Sequence, residues 1–133
     1  MYQIKRNHLV EDLEIEDNGK VLKLAVDINL DTTLHAYNNA QYKIAQASQD
    51  AQKATNENDI KSAEVAMGDA ILGLFEVVFG AEQTQQIIDF YGNKPLEMLG
   101  DIAPFISDVV APKILEAQKR LEERYKQVSK RGK

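Results

Sequence analysis

Between residues 9 and 28 apolar and polar positions alternate. Leu13 and Ile15 are interleaved with Asp12, Glu14 and Glu16, and after Asp17-Asn18-Gly19-Lys20 the positions Leu22, Leu24, Val26 and Ile28 follow at two-residue steps. Asn-Gly between two alternating runs predicts a β-hairpin, because both residues accept positive φ cheaply. Two strands alone are marginal in water, so the hairpin has to lie on helices or pair with a further strand. Its outer edge is open to a neighbour unless something covers it.

From Asp31 the period changes to three and four. Leu34, Tyr37, Gln41, Ile44, Ser48 and Ala51 predict a first helix, capped by Asp31, Thr32 or Thr33, whose polar entries leave it partly exposed. Thr55 to Asp59 breaks it. A second helix is predicted over 59–79 on the stripe Ile60, Ala63, Met67, Ile71, Leu74 and Val78, with Gly80 as its stop. A short helix over 82–91 ends at Gly92, and Pro95 starts another that runs to about Val110. In that helix Leu96, Leu99, Ile102, Phe105, Ile106 and Val109 are expected to face inward, and Pro104 to bend or interrupt it. Pro112 opens a last helix with a thin seam, Ile114, Leu115, Gln118, Leu121, Tyr125 and Val128, beside strongly charged flanks. So narrow a stripe suits a helix that projects or meets a partner helix. The expected fold is mainly α, with about five helices and an N-terminal β-hairpin: an arm and hairpin over 1–30, and a helical domain over 31–133 with a basic C-terminal helix.

Charge sharpens the picture of the last helix. The chain of 133 residues carries a net charge of −5, yet residues 113–133 hold eight Lys or Arg against three Glu. That end is therefore +5, and the other 112 residues sum to −10. A cationic end on an acidic body favours head-to-tail contact between copies, or an acidic partner. The sequence has no cysteine, which excludes disulfides, thiolate metal sites and a cysteine nucleophile. The start, Met1 to Glu16, has no apolar core of a signal peptide, and no apolar run reaches the ~20 residues that span a bilayer. A soluble chain is expected.

Candidate chemistry is thin. His8 and His35 have no spacing typical of metal ligands or of a catalytic pair. Glu14, Glu16, Asn18 and Gly19 look like the front of a calcium loop, but Ala25 stands where a bidentate Glu is needed, and strand alternation explains them better. Gly68 and Gly73 have phosphate-loop spacing, but Leu74 replaces the lysine, so close helix approach is the simpler reading. Glu76, Glu82, Asp89, Glu97, Asp101 and Asp108 fall on polar helix faces, with no sign of a buried acid–base pair. The basic groups Lys5-Arg6 and Lys126 to Lys133 lack interleaved stacking aromatics apart from Tyr2 and Tyr125, against a nucleic-acid interface. No enzyme, cofactor or metal is expected, and no membrane or nucleic-acid partner.

The punctuated run from Phe79 to Ile114 carries a resemblance. Phe79-Gly80-Ala81-Glu82, the helix end Ile88-Asp89-Phe90-Tyr91-Gly92, the start at Leu96–Leu99, and Ala103-Pro104-Phe105-Ile106 leading to Pro112-Lys113-Ile114 resemble the C-terminal half of tail assembly chaperones. These are small proteins of long-tailed phages and prophages of Gram-positive bacteria. An Asn-Gly hairpin before the helices is similar to that family as well, whereas the Ala- and Gln-rich helix over 31–55 has no counterpart in it. The resemblance implies a non-enzymatic factor in the host bacterial cytoplasm, generally absent from the finished virion. Its partners would be the tape-measure protein and tail-tube subunits, with a homo-oligomer expected. On this reading Ile114, Leu121, Tyr125 and Val128, with Arg120 and Arg124 of the basic end, bind partners, and the hairpin edge serves self-contact. The alternative is a structural tail or head-completion component retained in the virion.

Overall fold

The computed structural model describes residues 2–4, 9–28 and 30–131. Two strands, β1 (Leu9–Asp17) and β2 (Lys20–Ile28), form an antiparallel hairpin in which Leu13 pairs with Leu24 and Asp17 with Lys20. Asn18 and Gly19 take φ of 51° and 83°, the two positive values of the turn that their sequence foretold. Leu24 and Val26 are buried on the inner face, with Leu13, Ile15 and Leu22 packed beside them, while Asp12, Glu14, Glu16 and Lys23 face outward.

Helix α1 (Leu30–Lys53) and helix α2 (Glu57–Tyr91) pack against each other. Of the seam expected in α1, Leu34, Tyr37 and Ile44 pack against the core, but its fully buried positions are Ala40 and Ala47, and Gln41 and Ala51 are exposed. Small side chains on both partners, with Ala63 and Ala70 of α2 also buried, let the two backbones come close. Asn56 caps α2, its Oδ1 accepting the Asp59 N–H at 2.8 Å. The hydrophobic centre of the molecule lies in the middle of α2, where Ile71 and Phe75 are fully buried. There the ring of Phe79 meets Phe75 edge-on at 5.9 Å and stacks near-parallel on Phe105 at 6.4 Å. Ile60, expected in the buried stripe, is 45% exposed because the first turns of α2 reach beyond this centre.

At Gly80 the helical geometry breaks, as expected, although the two segments on either side stay joined at a kink. Gly80 takes φ 83° and ψ 162°, a conformation open in practice only to glycine, and α2 bends there and continues to Tyr91. Pro112 starts nothing new. Helix α3 (Pro95–Phe105) runs through a π turn (Ile106–Val110) directly into helix α4 (Ala111–Arg131). The described residues thus make three helical stretches, 30–53, 57–91 with its kink at Gly80, and 95–131, not about five separate helices. On the last rod Leu99, Ile102, Phe105 and Ile106 face the core as expected, but Leu96 and Val109 do not lead that face. Met98, Ile102, Ile106, Val110 and Ile114 are buried, whereas Leu96 is 70% exposed and Val109 only half-buried. A strict four-residue stripe drifts around an α-helix by about 40° per step, or about 160° from residue 98 to 114. The π turn takes up about 100° of that drift: the Ala111 N–H bonds the Ile106 carbonyl five residues back, and the wider turn brings Val110 and Ile114 back toward the core.

Candidate partner-binding surface

The first turns of α4 are anchored. Ile114 is 2% exposed and belongs to the core, and the Lys113 ammonium pairs with the Glu11 carboxylate of β1. From Lys119 to Lys126 every residue is exposed. The helix therefore leaves the body of the molecule at this point. Leu121 is 53% exposed and Tyr125 77%; with the stems of Glu122 and Lys126 they border an open apolar crease. Leu115, 58% exposed, lies on the same helix two turns earlier. Of the residues expected to bind a partner, Ile114 is taken up by the core, and Leu121 and Tyr125 present themselves to solvent. Arg120 donates to the Glu116 carboxylate at 2.7 Å across one helical turn, Arg124 is exposed, and the Val128 side chain lies outside the described residues. Lys5, Arg6 and His8 also lie outside them, as do the side chains of Lys130 and Lys133.

A second surface lies where α1 crosses the last rod. Ile44, Leu74, Leu99, Ala103 and Ile106 floor a shallow groove of about 470 Å³, rimmed by Gln41, Ser107 and Asp108. Pro104 sits in its wall, and having no N–H it leaves the Gly100 carbonyl without a helical donor. The Ser107 hydroxyl lies within reach of two acceptors, the Pro104 carbonyl at 3.3 Å and Asp108 Oδ1 at 3.4 Å. An apolar floor with a sparse polar rim suits the side chains of an amphipathic helix better than a polar substrate.

Sequence reasoning missed the groups that fasten the hairpin to the helices. Gln83 of α2 accepts the Ala25 N–H on Oε1 at 2.9 Å and donates from Nε2 to the Ala25 carbonyl at 2.7 Å. The same Nε2 reaches the Phe79 carbonyl beside the Gly80 bend at 2.8 Å. At the far end of α2, the Tyr91 hydroxyl donates to Asp101 Oδ2 at 2.9 Å. Burial first, then the Asp101 hydrogen bond and its charge, push the Tyr91 hydroxyl up to about 12. Neither pairing leaves a periodic trace in the sequence, since each joins residues on different elements.

Among the described residues no three His, Asp or Glu side chains gather where they could hold a metal ion. The carboxylates read earlier as solvated helix faces, Glu76, Glu82, Asp89, Glu97, Asp101 and Asp108, are all exposed, and so is His35. No described helix is long and apolar enough to cross a membrane. Comparison with protein-family models, with curated proteins and with solved structures finds no match to this chain.

Proposed function

We propose that the chain is a non-enzymatic assembly factor of the tail-assembly-chaperone kind, which coats an elongated helical client of tape-measure type and presents it to tail-tube subunits. The observation that carries this reading is the projecting half of α4. Leu121 and Tyr125, one turn apart, stand in solvent on a stretch of helix where, among the described residues, every side chain from Lys119 to Lys126 is exposed. A helical segment of about a dozen residues is marginal in water without a packing partner, so this one gains by binding another helix. The α1–α3 groove offers a second apolar seat, and many weak contacts of this type, repeated by several copies, would hold a long client. The basic residues Lys119, Arg120, Arg124 and Lys126 around the seam favour acidic stretches of that client, or the acidic body of another copy.

The test is co-expression with the tape-measure protein encoded in the same genome. The wild-type chain should keep the tape measure soluble and co-purify with it. Leu121→Asp with Tyr125→Asp should lose co-purification at an unchanged melting temperature, and Arg120→Glu with Arg124→Glu should weaken it. Retention of the tape measure by both variants would overturn the assignment to α4. Stoichiometric amounts of the chain in purified virions would instead favour a structural tail component.

A further inference from the structure

Two surfaces on the last rod are complementary. The groove between α1 and α3 has an apolar floor whose Ile44 and Leu99 stay only partly buried. The one charged side chain lining it is that of Asp108, an acid, exposed at the rim beside Ser107. The other surface is the Leu121–Tyr125 seam, two large apolar side chains one turn apart, 53% and 77% exposed. Over residues 119–126 four Lys or Arg stand against two Glu, so a net charge of +2 frames the seam.

A chain cannot join its own two surfaces. Both lie on the one rod 95–131, and from Pro104 to Leu121 its axis rises about 26 Å. Leu121 would reach the groove of its own copy only if the rod broke and folded back. Two seams do not suit one another, since pairing them would bring together two stretches of net charge +2. The groove offers the opposite charge. In it Leu121 and Tyr125 can cover Ile44 and Leu99, while Arg124, one position from Tyr125 and three from Leu121, reaches toward Asp108. The same attraction holds for the whole molecule, because residues 113–133 sum to +5 and the other 112 to −10.

We propose that the projecting part of α4 of one copy docks, through Leu121 and Tyr125, into the α1–α3 groove of a second copy, with Arg124 against Asp108. The mode is a helix in a groove, anchored at i and i+4. The two patches are unlike, so each copy carries a tail to give and a groove to receive. The proposal rests on the same surfaces as the client-binding reading and names their occupant when no client is present: another copy of this chain.

Sedimentation of the full chain without any client tests it. The wild type should self-associate at micromolar concentration. Leu121→Asp with Tyr125→Asp spoils the tail, and Gly100→Arg with Asp108→Lys obstructs the groove. Gly100 is exposed in α3 and a Cβ built there meets nothing within 4 Å, so its replacement spares the fold. Each variant alone should raise the dissociation constant by about tenfold or more. Mixed in equal amounts, the two should form a 1:1 heterodimer, because the first keeps its groove and the second its tail. A groove variant that associates like the wild type would overturn the proposal. So would a mixture that stays monomeric, or a wild-type chain that is monomeric at high micromolar concentration. In the co-expression assay the groove variant keeps its α4 seam and should still retain the tape measure, so a failure of the client reading shows separately.

Discussion

Gln83 closes its side-chain amide on the backbone of Ala25, 58 residues earlier, with one hydrogen bond in each direction. A carboxamide has the donor and acceptor spacing of a peptide group, so the helix offers the sheet edge a single substitute residue. The same nitrogen serves the Phe79 carbonyl, which ties the edge of the hairpin to the bend in α2.

Replacing Gln83 by Ala should therefore cost about 0.5–1.5 kcal/mol, because the exposed Ala25 groups can turn to water and only the Phe79 carbonyl is partly shielded. Gln83→Glu should cost more at neutral pH, where a carboxylate would face the Ala25 and Phe79 carbonyls. Part of that extra loss should return on acidification, when the protonated carboxyl can donate again. Urea denaturation of both variants at pH 7 and pH 4 checks the order.

Tyr91 should titrate at about pH 12, visible in the phenolate absorbance. Asp101→Asn should bring that value part of the way toward 10, since burial, the larger cause, remains. The sign for stability follows from the raised value. The unfolded chain releases the proton first, near pH 10, so the contribution of Tyr91 is complete below that pH and is lost as pH climbs through about 12. Tyr91→Phe should flatten this part of the stability curve, as measured by denaturation from pH 9 to 12.

Glu11 and Lys113 join the hairpin to the root of α4 with side chains 29% and 35% exposed. A double-mutant cycle with Glu11→Gln and Lys113→Met should give a coupling of about 0.5–1 kcal/mol, the upper range for surface pairs. The coupling should shrink as salt is raised from 0.05 to about 0.5 M.

Thr84 is 2% exposed, and its hydroxyl has no hydrogen-bond partner among the described residues. Thr84→Val keeps the shape and removes the unpaired group, so stability should rise by about 1 kcal/mol. Thermal unfolding decides it, and a clear loss would mean that the hydroxyl has a partner after all.

How far the sequence could be read depended on the range of each interaction. The hairpin, its Asn18-Gly19 turn, the left-handed Gly92 end and the Pro95 start are set by neighbours in the chain, and a two-residue period or a cap exposes them directly. The helix count came out too high because Gly80 and Pro112 were read as ends of separate helices, whereas Pro104, read as a bend or interruption, does fall where α3 passes into the π turn. Gly80 breaks the helical backbone of α2 but the two segments stay joined at the kink, and Pro112 follows a π turn that lets the last rod run on. Leu96 and Val109 were placed inward instead of Met98 and Val110 because a 3.6-residue template cannot follow a stripe of period four. In the candidate surface, Leu121 and Tyr125 stood out as apolar positions in a charged helix. Ile114 belonged to the same sequence seam, and only the packing of its side chain separates it from them. Gln83 with Ala25, and Glu11 with Lys113, are meetings of distant residues, which no local pattern encodes.

One surplus residue in the widened turn at 106–110 sets the compass heading of everything after it. Were it lost, the remainder of the rod would swing by about 100°. Ile114 would then leave its socket at the same moment that Leu121 and Tyr125 changed direction. The inside of the molecule thus polices the aim of its outermost helix, and that aim cannot wander without the fold registering the error.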